Sequence, residues 1–183
     1  MRELEKYVQT LLENELKIVH RSFAQSLTKI SAEEKAIIFK YTDDGYESLN
    51  EKLRDSNGKM ISDYGEHLES VLSKLENYEG VVYRGTKSSS YKLAEYWHAY
   101  QTKEVITEYA FISASRKKGV ARQFGTILFE ILSKNGKLIE NISKFGLISG
   151  QNEYEILFHR HSKFIITGFE KQDIYTLITM EEI

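Results

Sequence analysis

The sequence predicts an α+β fold, with helices over its first 78 residues and strands over most of the rest. Three observations carry this. Apolar residues in the first part recur at helical spacing, as in Val8, Leu12, Leu16 and Val19. Helix-start signals fall in the same part, at Ser31–Glu34 and Asp63–Glu66. From Gly80 onward the chain turns to short runs rich in β-branched and aromatic residues, separated by turn formers. Helices first and strands later argue for segregated elements in one domain, with 1–78 as the helical part and 79–183 as the β-rich part.

The elements follow in order. Residues 1–25 read as one helix. Ser31 and Glu34 form a capping box that opens a short helix through Ala36, Ile37, Ile38 and Phe39. Residues 43–54 give a further helix, closed by the turn Asp55-Ser56-Asn57-Gly58. Asp63 and Glu66 repeat the box before a stripe of Tyr64, Leu68, Val71, Leu72 and Leu75. Gly80 to Arg84 reads as the first strand. A helix over 89–101 places Tyr91, Ala94, Trp97 and Ala99 among its apolar positions. Strands are expected at 105–113, 126–132, 137–142, 153–158, 163–169 and 173–180, with a short helix at 117–124.

Length and composition bound the rest. At 183 residues the chain has room for one sizeable core. Hydrophobic residues at 41% and charged residues at 28% are an ordinary globular balance. The net charge of −2 gives no ground for general nucleic-acid binding. The charge is uneven: residues 1–80 hold 11 Lys+Arg against 16 Asp+Glu, and residues 81–183 hold 14 against 11. An anionic ligand therefore fits the second part better. With no Cys there is no thiol or disulfide chemistry, and with no Pro the turns fall to Gly, Asn, Asp and Ser. No apolar run approaches the ~20 residues of a membrane span, and the charged start is unlike a signal peptide.

Four places carry candidate chemistry. Glu153 and Glu155, two apart at a strand entry, would share one face with carboxylates roughly 7 Å apart. The bland alternative is a solvated strand edge. Arg84 follows an apolar run, and its planar fork of donors suits a phosphate or carboxylate, unless it simply extends to solvent. Ser113 and Ser115 would face one side at a strand end, where hydroxyls orient a carboxylate or form a turn. His159 and His161 share a strand face but lack a third ligand, which predicts solvated residues and no metal. Gly80 to Ser88 has the glycine spacing of a phosphate loop, but Thr86 stands where that motif needs Lys. The tyrosines Tyr41 and Tyr46, with Asn50, fall on or near one helix, where core packing is the default.

The order Arg84, then Phe111-x-Ser113-x-Ser115, then Glu153-x-Glu155 resembles the Arg–Ser–Glu class of mono-ADP-ribosyltransferases, which includes bacterial toxins and phage enzymes. The resemblance runs from about Ser31 to Met180. The stretch Tyr41 to Asn50, followed by Leu53-Arg54, is similar to the helices that precede the sheet in actin-modifying binary toxins. Phe124, eleven residues after Ser113, matches the family aromatic that packs on nicotinamide; Ala114 departs from a frequent Thr.

The resemblance implies N-terminal helices packed on a two-sheet, mostly antiparallel β-sandwich, and NAD as co-substrate without a metal. It implies that Arg84 grips the pyrophosphate and that Gly85 approaches the nicotinamide amide. Tyr41, Tyr46, Asn50 and Phe124 would line the NAD site. Ser113 would hold Glu155, which stabilises the oxocarbenium-like cation, and Glu153 would orient the acceptor. Glu rather than Gln at 153 implies an arginine acceptor on a protein, actin or another target, with Gly146 to Asn152 as a mobile recognition loop. Delivery into a target cell is implied, or intracellular action if phage-encoded. The rival readings are an NAD glycohydrolase, a transferase acting on nucleic acid, and an inactive binding module.

Overall fold

The apolar stripe of the first 25 residues folds as two helices rather than one, α1 (Glu3–Leu11) and α2 (Glu13–Ser22). Leu12 leaves helical geometry at φ −129° and ψ 33°. Its N–H still donates to Val8 O and its carbonyl still accepts from Leu16 N, so the stripe continues across the break. Val8, Leu12 and Val19 are buried on one side. The structure is a computed structural model and describes residues 3–24, 29–87 and 90–183, with Ser90 and Tyr91 described by backbone alone. The expected apolar contact of Tyr91 and the end of the glycine-spaced segment at Ser88 lie outside the described residues.

Helix α3 (Ala32–Lys40) starts at the expected capping box: Ser31 Oγ accepts from Glu34 N at 3.2 Å and Glu34 Oε2 accepts from Ser31 N at 2.8 Å. It runs through a π-turn (Tyr41–Gly45) directly into α4 (Tyr46–Asp55). The wider turn rotates the side chains that follow by a fraction of a turn, a device common at functional sites. Helix α5 (Asp63–Leu72) is capped by Ser62, whose Oγ accepts from Gly65 N at 3.3 Å, and not by Asp63. The hydroxyl one position earlier takes the free amide, and Asp63 becomes the first helical residue.

The β part holds β1 (Asn77–Thr86), α6 (Ser90–Thr102), β2 (Val105–Glu108), β3 (Ile112–Ser115), α7 (Lys118–Ala121), β4 (Ile127–Leu138), β5 (Glu155–Phe158), β6 (Ser162–Lys171) and β7 (Thr176–Glu182). A 3₁₀ turn, Arg122–Phe124, follows α7. Strand order is β1-β3-β5-β4-β7-β6-β2, with β1 also paired to β4. Every pairing is antiparallel except β4 with β7. The two expected sheets are thus joined through β1 and β4 into one hydrogen-bonded system.

Several expected boundaries move. The run 105–113 is two strands, because β2 pairs with β6 while β3 pairs with β1 and β5. The runs 126–132 and 137–142 merge: β4 continues to Leu138 and residues 139–142 leave the sheet. On α6 the buried positions are Tyr96 and Ala99, with Ala94 and Trp97 exposed.

Two cores follow from strand alternation. Ile156 and Phe158 of β5, with Ile112 and Ala114 of β3, enter the core between the strands, alongside Ile131, Phe164, Ile166 and Ile178. Leu157 points the other way, into the core that joins the helices to the sheet through Phe111, Ile139 and Ile142. Burial of each such side chain contributes about 1.5–3 kcal/mol. Residues 113, 115 and 155 alternate with the first set, so they face the seam between helices and sheet.

Candidate active site

That seam opens into a cleft of about 930 Å³. All the residues singled out above for NAD and catalysis line it: Tyr41, Tyr46 and Asn50 from the helices, Arg84 and Gly85 from β1, Ser113 from β3, Phe124 from the 3₁₀ turn, and Glu153 and Glu155. Residues from five separate stretches of sequence meet because β1, β3 and β5 are successive neighbours with their ends at the helical layer.

Glu155 forms the floor. It is 6% exposed and both oxygens accept hydrogen bonds: Oε1 from Ser113 Oγ at 2.8 Å and Oε2 from Ser143 Oγ at 2.7 Å. Burial raises its carboxyl pKa above the ordinary 4.5, and the two hydroxyls offset only part of that. Ser113 was expected; Ser143 is the partner that the sequence did not reveal. It stands alone in a turn twelve residues before Glu155, and no motif marks it.

Glu153 occupies the rim and is half-buried. Its route to the cleft differs from the one expected. The strand starts only at Glu155, and Tyr154 adopts φ +53°. Asn152 Oδ1 accepts from Tyr154 N at 2.7 Å, an Asx-turn that supports this left-handed residue. Both carboxylates reach the same cleft through a turn rather than through strand pleating. Ser115 Oγ donates to Glu153 O at 2.6 Å, and Glu153 N donates to Phe145 O at 2.7 Å. Burial, and then the charge of Glu155, raise the Glu153 pKa.

Arg84 Nη1 donates to Ser113 O at 2.6 Å, so the guanidinium is fixed against β3 rather than extended into solvent. Gly85 has a local reason to be glycine: a Cβ there would lie 1.8 Å from Ala121 O, so its absence lets α7 close onto β1. That contact also sets the 3₁₀ turn beside it, which presents Phe124, 50% exposed, to the cleft.

Asn50 is committed on two sides. Its Nδ2 donates to Tyr41 Oη at 3.0 Å and its Oδ1 accepts from Phe111 N at 3.1 Å. The Phe111 amide is free because the chain leaves the sheet between β2 and β3. Tyr41 is buried, and burial pushes its phenol up to about 12. Tyr46 is more open and packs edge-on against Tyr41 at 6.2 Å between centroids. At the far end Tyr96 Oη donates to Glu108 Oε1 at 2.7 Å, and Arg54, Lys87 and Lys92 add cations to the lining.

The histidines stay outside the cleft. His159 is not solvated as expected, because β5 ends against α5 and Nδ1 lies 2.8 Å from Glu69 Oε1. His161 packs edge-on against Tyr109. Among the described residues no three His, Asp or Glu side chains are grouped to hold a metal.

Comparison with known proteins identifies the family. The profile of the ADP-ribosyltransferase exoenzyme family matches residues 17–182. Mav of Mycobacterium avium (strain 104) is 33% identical over 163 residues, which is 85% of this chain and 18% of Mav. Vis of Vibrio splendidus (strain 12B01) is 29% identical over 176 residues, 84% of this chain and 66% of Vis. The NAD(+)–protein-arginine ADP-ribosyltransferase Tre1 of Serratia proteamaculans (strain 568) is 26% identical over 163 residues, 87% of this chain and 34% of Tre1. The chain thus spans only part of each of these relatives. A crystal structure of Vis in complex with agmatine superposes with a TM-score of 0.67 at 27% identity, covering all of this chain and 87% of that one. The chain belongs to the ADP-ribosyltransferase exoenzyme family.

Proposed function

We propose that the chain transfers ADP-ribose from NAD to the guanidinium of an arginine on a protein and releases nicotinamide. The observation that carries this is Glu155: a buried carboxylate held by two seryl hydroxyls on the floor of a cleft that also holds Arg84, with a second carboxylate two residues earlier. A fixed carboxylate of this kind suits a reaction in which positive charge develops beside it.

In this reading the pyrophosphate lies against Arg84, whose fork matches phosphate oxygens. Phe124 and Tyr46 offer ring faces to the nicotinamide end, and Gly85 leaves its backbone open on the cleft side. Asn50 shapes the site by fixing the Tyr41 hydroxyl and the Phe111 amide. The bond from the ribose anomeric carbon to the nicotinamide nitrogen breaks, and its electron pair leaves with nicotinamide as a neutral ring. Glu155 faces the resulting oxocarbenium-like cation. A guanidinium nitrogen of the acceptor then bonds to that carbon, and its proton passes to Glu153.

The arginine acceptor rests on Glu153 and on the relatives. A rim carboxylate pairs with a guanidinium, Tre1 carries protein-arginine in its name, and Vis has been solved with agmatine, a guanidinium compound. The loop 146–152, with Leu147 and Ile148 about 60% exposed, stands beside Glu153 as the acceptor-recognition segment. Vis is described as a toxin, which supports the effector reading for this chain, with action inside a target cell.

The test is nicotinamide release from NAD with and without agmatine as acceptor. Wild type should release nicotinamide and form ADP-ribosyl-agmatine. Release at the wild-type rate by Glu155→Gln would overturn the proposal.

A further inference from the structure

The turn Ser143–Gly146 contacts both Glu155, through its carboxylate, and Glu153, through its backbone. Ser143 is fully buried and its Oγ donates to Glu155 Oε2 at 2.7 Å. Two residues later Phe145 O accepts from Glu153 N at 2.7 Å. The turn closes on itself, with Gly146 N donating to Ser143 O at 3.0 Å. Gly146 is forced here, because a Cβ would lie 1.9 Å from Glu140 O. Two further contacts hold the turn from outside. Lys144 N donates to Thr42 Oγ1 at 2.9 Å, and Thr42 Oγ1 in turn donates to Phe39 O at 2.9 Å, so the π-turn carries the turn on its second residue. Arg116 spans both oxygens of Glu140 at 2.6 Å and pins the segment just before it to the end of β3.

From these contacts we infer that Ser143 is a positioning residue for the reaction, which fixes the rotamer of Glu155 and favours its charged form. The inference rests on the functional reading above. Ser113 alone leaves one oxygen of Glu155 without a protein donor. A buried carboxylate with a single hydroxyl is free to rotate and binds its proton more tightly, because a donor to the charged form is lost. The other groups around Glu155 are Arg84 from β1, Tyr41 from the start of the π-turn and Glu153 from the turn before β5. None of these three donates a hydrogen bond to Oε2, which accepts from Ser143 Oγ. Burial raises the Glu155 pKa, and the Ser143 hydroxyl, a donor to the charged form, works against that rise. Thr42 of the π-turn accepts from the Lys144 amide, so the helical layer, which carries Tyr41 and Tyr46, is tied to the same turn that contacts Glu153 and Glu155.

The experiment has two arms that fail separately. In the first, wild type and Ser143→Ala are labelled with ¹³C at the glutamate carboxyl. Glu155 is titrated by NMR without NAD, with Glu155→Gln assigning the signal. The expected result is an upward move of the Glu155 titration by about one pH unit in Ser143→Ala. In the second, nicotinamide release to water is followed against pH. Ser143→Ala should move the acid limb of kcat upward by about one pH unit, so that kcat falls about tenfold on that limb and less above it, and leave the KM for NAD within about twofold. Ser143→Thr, which keeps the hydroxyl, should restore the acid limb. If Ser143→Ala does not fold, Ser143→Cys, with its weak donor, takes its place in both arms. An unmoved Glu155 titration in the folded variant overturns the inference, and so does a fall in kcat with an unmoved acid limb. Absence of nicotinamide release by wild type would overturn the functional reading instead and leave the titration arm to decide on Ser143.

Discussion

The floor and the rim of the cleft carry the same chemical group in opposite settings. Glu155 lies on a strand, is 6% exposed and has a hydroxyl on each oxygen. Glu153 lies on a turn, is half-buried, and among the described residues is held through its backbone, by Phe145 O and Ser115 Oγ. One carboxylate is immobilised by its side chain and the other by its main chain. A site that must stabilise a short-lived cation gains from the first arrangement, because a preformed dipole needs no reorganisation. A site that must accept a side chain from another protein gains from the second, because the carboxylate can still turn toward an incoming guanidinium. The difference teaches that spacing alone does not make an equivalent pair; the fold gives each member a different setting, which is the basis of the separate tasks proposed for them.

Substitutions that break this contrast rank by the region they strike. Glu155→Gln should cost the most, about 10³-fold or more in nicotinamide release. The same change should raise thermal stability near neutral pH. The Glu155 pKa is raised in the folded protein above the ordinary 4.5, so protonation favours the fold. The associated stability is present at acid pH and lost as pH rises through the raised value. The melting temperature of Glu155→Gln should therefore exceed that of wild type at pH 7 and converge with it near pH 4, and a scan across that range checks both.

Glu153→Gln strikes the rim and should separate two activities. ADP-ribosyl-agmatine formation should fall by about 10²-fold, while nicotinamide release to water should stay within a few-fold of wild type. Equal loss of both would show that floor and rim act as one unit. Asn50→Ala, at the helical wall of the cleft, should have the smallest catalytic effect and a clear structural one. It strips the partner from the buried Phe111 amide and from Tyr41, which costs about 1–3 kcal/mol in urea denaturation.

How much of this was readable in the sequence follows the range of each interaction. The capping box at Ser31 and Glu34 is local, and it formed as read. Ser113 and Ser115 face one side because strand alternation is local too. The order Arg84, Ser113, Glu155 pointed to one site, and β1, β3 and β5 are neighbours in the sheet. What stayed hidden was set by tertiary placement. Ser143 gains its meaning only when the turn after β4 folds over Glu155. The break at residues 109–111 arises because one run serves two distant strands, and the amide it frees is taken by Asn50 from another layer. Tyr154 is the intermediate case. Asn152 two residues before it is a local Asx-turn signal, overridden in the reading by the alternation of the strand that follows.

The most direct test is incubation of the chain with isotopically labelled NAD and a cell lysate, followed by mass spectrometry of labelled peptides. The account predicts ADP-ribose on arginine side chains, lost with Glu155→Gln and strongly reduced with Glu153→Gln. Labelled peptides modified at other residue types, or labelling that persists in Glu155→Gln, would contradict it.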